Sequence, residues 1–489
     1  MFTEPRAGRR ARVSRIAVFA ILGVLAAGLA IANLVQPPRL AGVDANTALL
    51  VSRTDQRVQL HFSQPIADVD AAAVSVRPET PIDVTSDGSS LTVRFLEMLD
   101  TGAEYRIEAR VSGAATGSGD VITAAVRTPD PATYTLSRSS GGDRLLEHRL
   151  QDPAATREVF AAPRIEEYAI TGDGLATVLR DETGRAALDV HAATDDAAST
   201  ATFADPDPFR IMTAPHLGQL RSEARTGVIG VVATGAGDDG TEYDRTLLVI
   251  DPATAVVSIV TGADGSAAPV RDWRFVPGTT SLVFQSPDGR LFGWEAVPEP
   301  RVIELGVSGD LLGFIPGTTA LAVAEAAGPS LVDLAGIVTG TLDAAPERTP
   351  LTQPPGSDER AVLAAAPDAV LARAAAAPSE PPPVADGVDP RSAGSALGDG
   401  SLVAGGSVLV ERDGERRSIF APAAESTRIG RVCLSPNAEF AAVETVSDGG
   451  AADGAASAPG YAQTTTNYVR LDSGETVRSA IGGLSDWCG

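Results

Sequence analysis

The chain has 489 residues, of which 44% are hydrophobic but only 4% aromatic, and its formal net charge is −24. That length exceeds one ordinary domain, so two or three are expected. A body this acidic repels phosphate backbones, which argues against a nucleic-acid partner.

All 39 basic residues are arginine, and Ala and Gly abound, a composition expected of a chain from a GC-rich bacterial genome. Arg6, Arg9, Arg10, Arg12 and Arg15 form a basic tail over residues 1–15, ahead of an apolar run from Ile16 to Val35 in which only Asn33 is polar. About 20 apolar residues at helical rise span a bilayer core. Basic residues on the N-terminal side hold that end in the cytoplasm. The expectation is therefore a single-pass signal anchor over 16–35, with everything beyond it outside the cell membrane. "AIA" at Ala30–Ala32 also fits a signal-peptidase site, which leaves a cleaved leader as the alternative.

From residue 40 to 130 the pattern changes to short alternating segments. "RVQLHF" (Arg57–Phe62), "AVSVRP", "LTVRFL" and "YRIEARV" are separated by Asp-Gly and Thr-Gly turns. Period-two hydrophobicity with such punctuation predicts a β-sandwich. Phe62-Ser63-x-Pro65, followed by Leu99-x-x-Gly102-x-x-Tyr105, resembles bacterial immunoglobulin-like domains of the S-layer type. The resemblance implies a spacer or adhesive module without catalytic residues.

Residues 131–489 repeat themselves. "WRFVPGTTSLVFQ" (Trp273–Gln285) returns 39 residues later as "LGFIPGTTALAVA" (Leu312–Ala324). Each reads as strand, Pro-Gly turn, strand, and a third strand follows. A period near 40 with several strands per unit predicts the blades of a β-propeller. Further units give about seven blade starts, near residues 133, 166, 217, 268, 308, 360 and 430, with six blades as the alternative. "SPDG" at Ser286–Gly289 and "SPNA" at Ser435–Ala438 resemble the turns of TolB and WD40-like propellers. The Pro- and Gly-rich stretches 377–400 and 447–460 read as long loops inserted within blades. "SDW" (Ser485–Trp487) at the C-terminal end echoes "RDW" (Arg271–Trp273), and so is expected to complete the first blade.

Cys433 and Cys488 are the only cysteines, and in an exported chain a pair reads as a disulfide. It would pin the closure of the ring. No catalytic, metal-binding or cofactor-binding residues are expected. The four histidines, His61, His148, His191 and His216, lack metal-ligand spacing, and the Asp-rich loops 203–209 and 236–244 lack the EF-hand pattern. Trp273 and Trp294 are expected to pack between sheets. The all-β chain is thus expected to be a non-enzymatic, membrane-anchored scaffold that binds a protein or envelope polymer through its propeller. An extracytoplasmic propeller hydrolase or lyase, and a structural envelope spacer, are the alternatives.

Overall fold

A computed structural model describes residues 36–488 apart from internal stretches, the longest being 352–361 and 375–402. The chain divides into two compact units, Met1–Pro129 and Asp130–Gly489. In the first unit, Leu40–Ala45, Gln56–Phe62, Ser90–Phe95 and Ile82–Asp87 form one antiparallel sheet in that order. Val74–Arg77, Glu104–Ser112 and Gly119–Arg127 form a second. Alternation puts Val58, Leu60, Leu91 and Val93 of one sheet and Val76, Tyr105, Ile107 and Val111 of the other into a single core. The Tyr105 hydroxyl is buried at a corner, where it accepts the Asp100 N–H at 3.0 Å.

The second unit contains seven antiparallel sheets of three to five strands, and a separate two-stranded hairpin, Thr194–Asp196 with Thr200–Thr202, inserted in the second of them. Their first strands in chain order are Ala132–Ser137, Ile165–Ile170, His216–Ser222, Asp272–Phe275, Asp310–Phe314, Val362–Ala366 and Arg428–Leu434. From the second sheet to the seventh, each of these lies beside the corresponding strand of the next sheet. They are inner strands, and each sheet grows outward from its own by hairpins. This is a β-propeller of seven blades, and we number them 1 to 7. Blade 7 has an additional short strand, Val403–Ala404, paired on the inner side of Arg428–Leu434.

The repeated hexapeptide is the turn of the inner hairpin in blades 4 and 5. Gly278 and Gly317 have φ of 77° and 75°, the left-handed conformation glycine adopts without a steric penalty. Thr279 and Thr318 donate to the carbonyls of Val276 and Ile315 and accept the N–H of Ser281 and Ala320, so the two turns are wired identically. "SPNA" occupies the same inner turn in blade 7, with Ser435 N–H donating to the Phe440 carbonyl. "SPDG" instead joins the second and third strands of blade 4, so the two sequence words mark different corners.

Blade 1 has three strands of its own, and its inner place is taken by the C-terminal segment. Leu136 and Gly483 exchange backbone hydrogen bonds of 2.8 and 3.0 Å. Gly482 makes this approach possible: φ is 110°, and a Cβ there would lie 2.7 Å from the Leu136 carbonyl oxygen. The turn Asp486–Cys488 then packs against the inner strand of blade 7, and Cys488 is disulfide-bonded to Cys433 with a Cα–Cα distance of 5.3 Å.

The single-pass cell-membrane placement has to be corrected. Among the described residues no helix is long and apolar enough to cross a membrane. The α-helices there, Thr47–Leu50 and Ala335–Thr339, have 4 and 5 residues. At helical rise they reach well under 10 Å against a hydrocarbon core of about 30 Å. The expected span 16–35 lies outside the described residues, as does the Pro-rich stretch 377–400.

The disulfide closes a loop with a sequence separation of 55. In the chain-entropy description its loss costs about 4 kcal/mol. Urea unfolding of Cys488→Ser, or of the reduced protein, is expected to show a lowered midpoint. A midpoint equal to that of the oxidised protein would remove the bond from any role in closure.

Candidate functional site: the inner wall of the ring

The inner strands place charged side chains where an apolar core would otherwise form. Glu167 on blade 2 is buried and accepts the backbone N–H groups of Gln219 (3.0 Å) and Leu220 (2.5 Å) on blade 3. Burial pushes its carboxyl up, against the pull of those donors and of Arg221 and Arg431. On blade 3, Arg221 donates to Asp272 at 2.9 Å and to the Trp273 carbonyl, both on blade 4. Its guanidinium also lies 5.2 Å from the Trp273 ring centroid. Trp273 and Trp294 are fully buried in a core shared with Val228, Leu247 and Phe284, so they pack between sheets. Gly230 makes room for them: a Cβ there would lie 2.3 Å from the Trp273 ring.

Arg274 of blade 4 is also buried, and its guanidinium is held down to about 10 by desolvation and by repulsion from Arg221 and Arg431, with Asp272 opposing. Arg431 comes from the inner strand of blade 7 and is half-buried. Beside this group Gln219 has a φ of 53°, and its Oε1 is buried without a hydrogen-bond partner. None of these residues stood out as a site in the sequence. Their 52-residue register (Glu167, Gln219, Arg271) is the only linear signal of the alignment, and the irregular blade lengths conceal it.

Within the stretch 447–460, expected to be a loose loop, Asp453, Ala456 and Ser457 are pinned. Asp453 forms a buried ion pair of 3.0 Å with Arg138, and its carbonyl accepts from Arg164 at 2.9 Å. Ala456 and Ser457 donate their N–H groups to Glu166 of blade 2, and the Ser457 hydroxyl donates to the Leu217 carbonyl of blade 3. A segment of blade 7 therefore reaches blades 2 and 3. The acidic group that directs it, Asp453, is flanked by Ala and Gly, which is why composition reads the stretch as slack.

The C-terminal closure carries the other dense set of polar groups. Asp486 accepts the Tyr134 N–H at 2.8 Å and the Thr133 hydroxyl at 2.7 Å, and burial raises its carboxyl to about 6. Glu444 accepts the Leu484 N–H, and the Tyr168 hydroxyl donates to the Leu484 carbonyl. Arg478 Nη2 lies 3.3 Å from His148 Nδ1, and His148 Nε2 lies 2.8 Å from the Thr135 hydroxyl, which donates to the Ile481 carbonyl. The direction of these bonds fixes His148 as a neutral ring protonated at Nε2, because Arg478 has only donors. Burial and Arg478 hold it down to about 4. His191 is buried against the Thr177 hydroxyl, and His61 and His216 lie apart on strands of different units. Among the described residues no group of three or more His, Cys, Asp or Glu is arranged to hold a metal ion.

No protein-family profile matches the chain, and no curated protein matches it. Among solved structures it is similar to Saccharomyces cerevisiae Sqt1, at 10% identity over 72% of this chain and 83% of that one, with a TM-score of 0.36. It is also similar to apo AztD from Citrobacter koseri (14% identity, 71% of this chain and 81% of that one, TM-score 0.32). The WD40 repeats of RRP9 follow at 13% identity over 63% and 92%, with a TM-score of 0.29. These are loose likenesses, and the propeller is read from the chain's own sheet order.

Two outcomes are expected. Asp453→Ala leaves Arg138 buried beside a lost partner, so a loss of about 3 kcal/mol is expected in urea unfolding, with new proteolytic cleavage within 447–460. Unchanged stability and protection would show the pair to be idle. The second concerns pH. His148 has its pKa lowered by folding, so its stability contribution is lost as pH falls from 6.5 towards about 4. Asp486 has its pKa raised, so its contribution grows as pH falls from about 6 towards 3.8. Between about pH 4 and 6 the two cancel. Asp486→Asn keeps an acceptor for Tyr134 and Thr133 but uncovers His148. Relative to the parent, its stability is expected to fall on acidification by about 1.4 kcal/mol per pH unit in that window. Parallel stability curves from pH 7 to 4 would contradict the pairing.

Proposed function

We propose that the propeller is a non-catalytic scaffold that binds an extended segment of a protein partner along the rim of blade 3. The observation carrying this reading is the outer strand of that blade, Val256–Ile259. Its Val256, Val257 and Ile259 are 56%, 47% and 42% exposed, and it pairs on one side only. Phe209, on the outer strand of neighbouring blade 2, is 52% exposed. Natural edge strands are usually blunted by charge or proline. An apolar edge with free N–H and C=O groups suits strand addition, in which the backbone supplies affinity and the side chains supply selectivity. The rigid closed ring supports the same reading, because an edge held in place loses little entropy on binding. Residues 40–130 we read as an immunoglobulin-like spacer module. What supports that reading is the pair of antiparallel sheets around one core in the first unit.

Selection of a displayed random-peptide library against the full chain tests the scaffold reading. Enriched peptides are expected to be rich in β-branched and aromatic residues at alternate positions. They are expected to lose at least about tenfold in affinity against the double variant Val257→Lys, Ile259→Lys, whose stability should stay within about 0.5 kcal/mol of the parent because both sites are exposed. Peptides that bind parent and variant equally would overturn the assignment of this edge.

A further inference from the structure

In the segment Asp453–Ser457, blade 7 lays a short peptide on blades 1, 2 and 3, and the contacts made to it are ones that a foreign peptide could also make. Arg138, just past the strand Ala132–Ser137 of blade 1, pairs with the Asp453 carboxylate at 3.0 Å. Arg164 donates to the Asp453 carbonyl at 2.9 Å. One oxygen of Glu166 accepts the N–H groups of Ala456 at 2.7 Å and of Ser457 at 3.2 Å. The Leu217 carbonyl of blade 3 accepts the Ser457 hydroxyl. Apart from one carboxylate and one hydroxyl, the groups engaged on the segment belong to its main chain. The close approach needs Gly218, where a Cβ would lie 3.2 Å from the Cβ of Ser457.

The receiving side is not balanced in charge by itself. Its linked ion pairs join Arg138, Arg164 and Arg180 to Asp143 and Glu166, three cations against two anions, all on blades 1 and 2. Asp453 supplies the third negative charge. Even with it in place, Nη1 of Arg138 is buried without a hydrogen bond, 3.8 Å from Asp143. The segment itself has little apolar grip, since Ala455 is buried but Gly454 and Ala456 are exposed. Its hold therefore rests on polar bonds. A ligand that brings its own carboxylate restores the pair with Arg138, so opening in exchange for that ligand costs less than opening alone.

From this arrangement we propose that blades 1 to 3 carry a docking site for a partner peptide in which Asp is followed four residues later by Ser, with small residues between. The blade 7 segment occupies that site in cis as an autoinhibitory stand-in. The tethered copy competes at an effective concentration of about millimolar, which a tighter partner exceeds. The site uses the inner strand of blade 3 and not its outer edge, so either assignment can fail without the other.

Fluorescence anisotropy of a labelled synthetic peptide with the sequence of residues 450–463, titrated with the full chain, tests the proposal. Two variants vacate the site: Asp453→Ala removes the carboxylate, and Ser457→Pro removes one N–H and the hydroxyl. Saturable binding at least tenfold tighter to a folded variant than to the parent is expected. A peptide carrying Asp453→Asn should bind at least tenfold more weakly. Saturating peptide should raise the melting temperature of Asp453→Ala and leave that of Asp453→Ala with Arg138→Gln unchanged. Three results would overturn the docking site: no saturable binding to either variant, equal binding of the Asp453→Asn peptide, or failure of both variants to fold, which would make the segment a permanent strut. Binding to the parent as tight as to the variants would overturn the occupancy in cis.

Discussion

The propeller depends on one seam. Seven sheets in a ring each bury two faces against neighbours, and the C-terminal segment joins blade 1 to blade 7 alongside direct contacts such as Arg138–Asp453 and Thr133–Tyr468. If that segment frays, both terminal blades expose faces that the rest of the fold assumes are covered, and chain ends are where fraying concentrates. The seam is accordingly held in several independent ways. Gly483 pairs with Leu136, Asp486 takes donors from Thr133 and Tyr134, and Glu444 takes the Leu484 N–H. Trp487 packs on Tyr468 and Phe440, and the bond between Cys433 and Cys488 makes the attachment covalent.

The same device, a buried acceptor on one blade taking backbone donors from the next, recurs around the ring. Asp143 takes the Ile165 N–H from blade 1 to 2, Glu167 those of Gln219 and Leu220 from 2 to 3, and Glu223 that of Gly278 from 3 to 4. A buried carboxylate is costly unless it is hydrogen-bonded, and each of these accepts at least one backbone N–H. Such bonds are directional, so they fix the stagger between adjacent blades, which the interchangeable Val, Leu and Ala side chains of the cores do not. Part of the chain's acidity is therefore structural.

Much of the propeller was legible in the residues. The duplicated "PGTT" turns marked two inner hairpins because a left-handed glycine and a threonine that bonds its own turn are strict local requirements. The expected sheet starts near 133, 166, 217, 268, 308, 360 and 430 lie close to the observed 132, 165, 216, 272, 310, 362 and 428. The echo of "RDW" in "SDW" predicts a strand completing the first blade; the tail instead reaches blade 1 through one bridge, Leu136–Gly483, and Asp486–Cys488 forms a turn against blade 7. The candidate site was not legible. Its residues come from four blades whose inner strands begin at 165, 216, 272 and 428; a 52-residue register links Glu167 to Gln219, but unequal insertions break it before 428.

The sequence by itself determined the local elements, because alternation, turn glycines and Asx or Thr turns act over two to six residues and are written where they act. It also determined that Cys433 and Cys488 had only each other to pair with. The tertiary structure alone decided which blade each strand joined and that Asp453, Ala456 and Ser457 are tied down by Arg138 and Glu166. Those outcomes depend on contacts between residues far apart in the chain. Their energies arise from burial and mutual charge, and neither exists until the ring has closed.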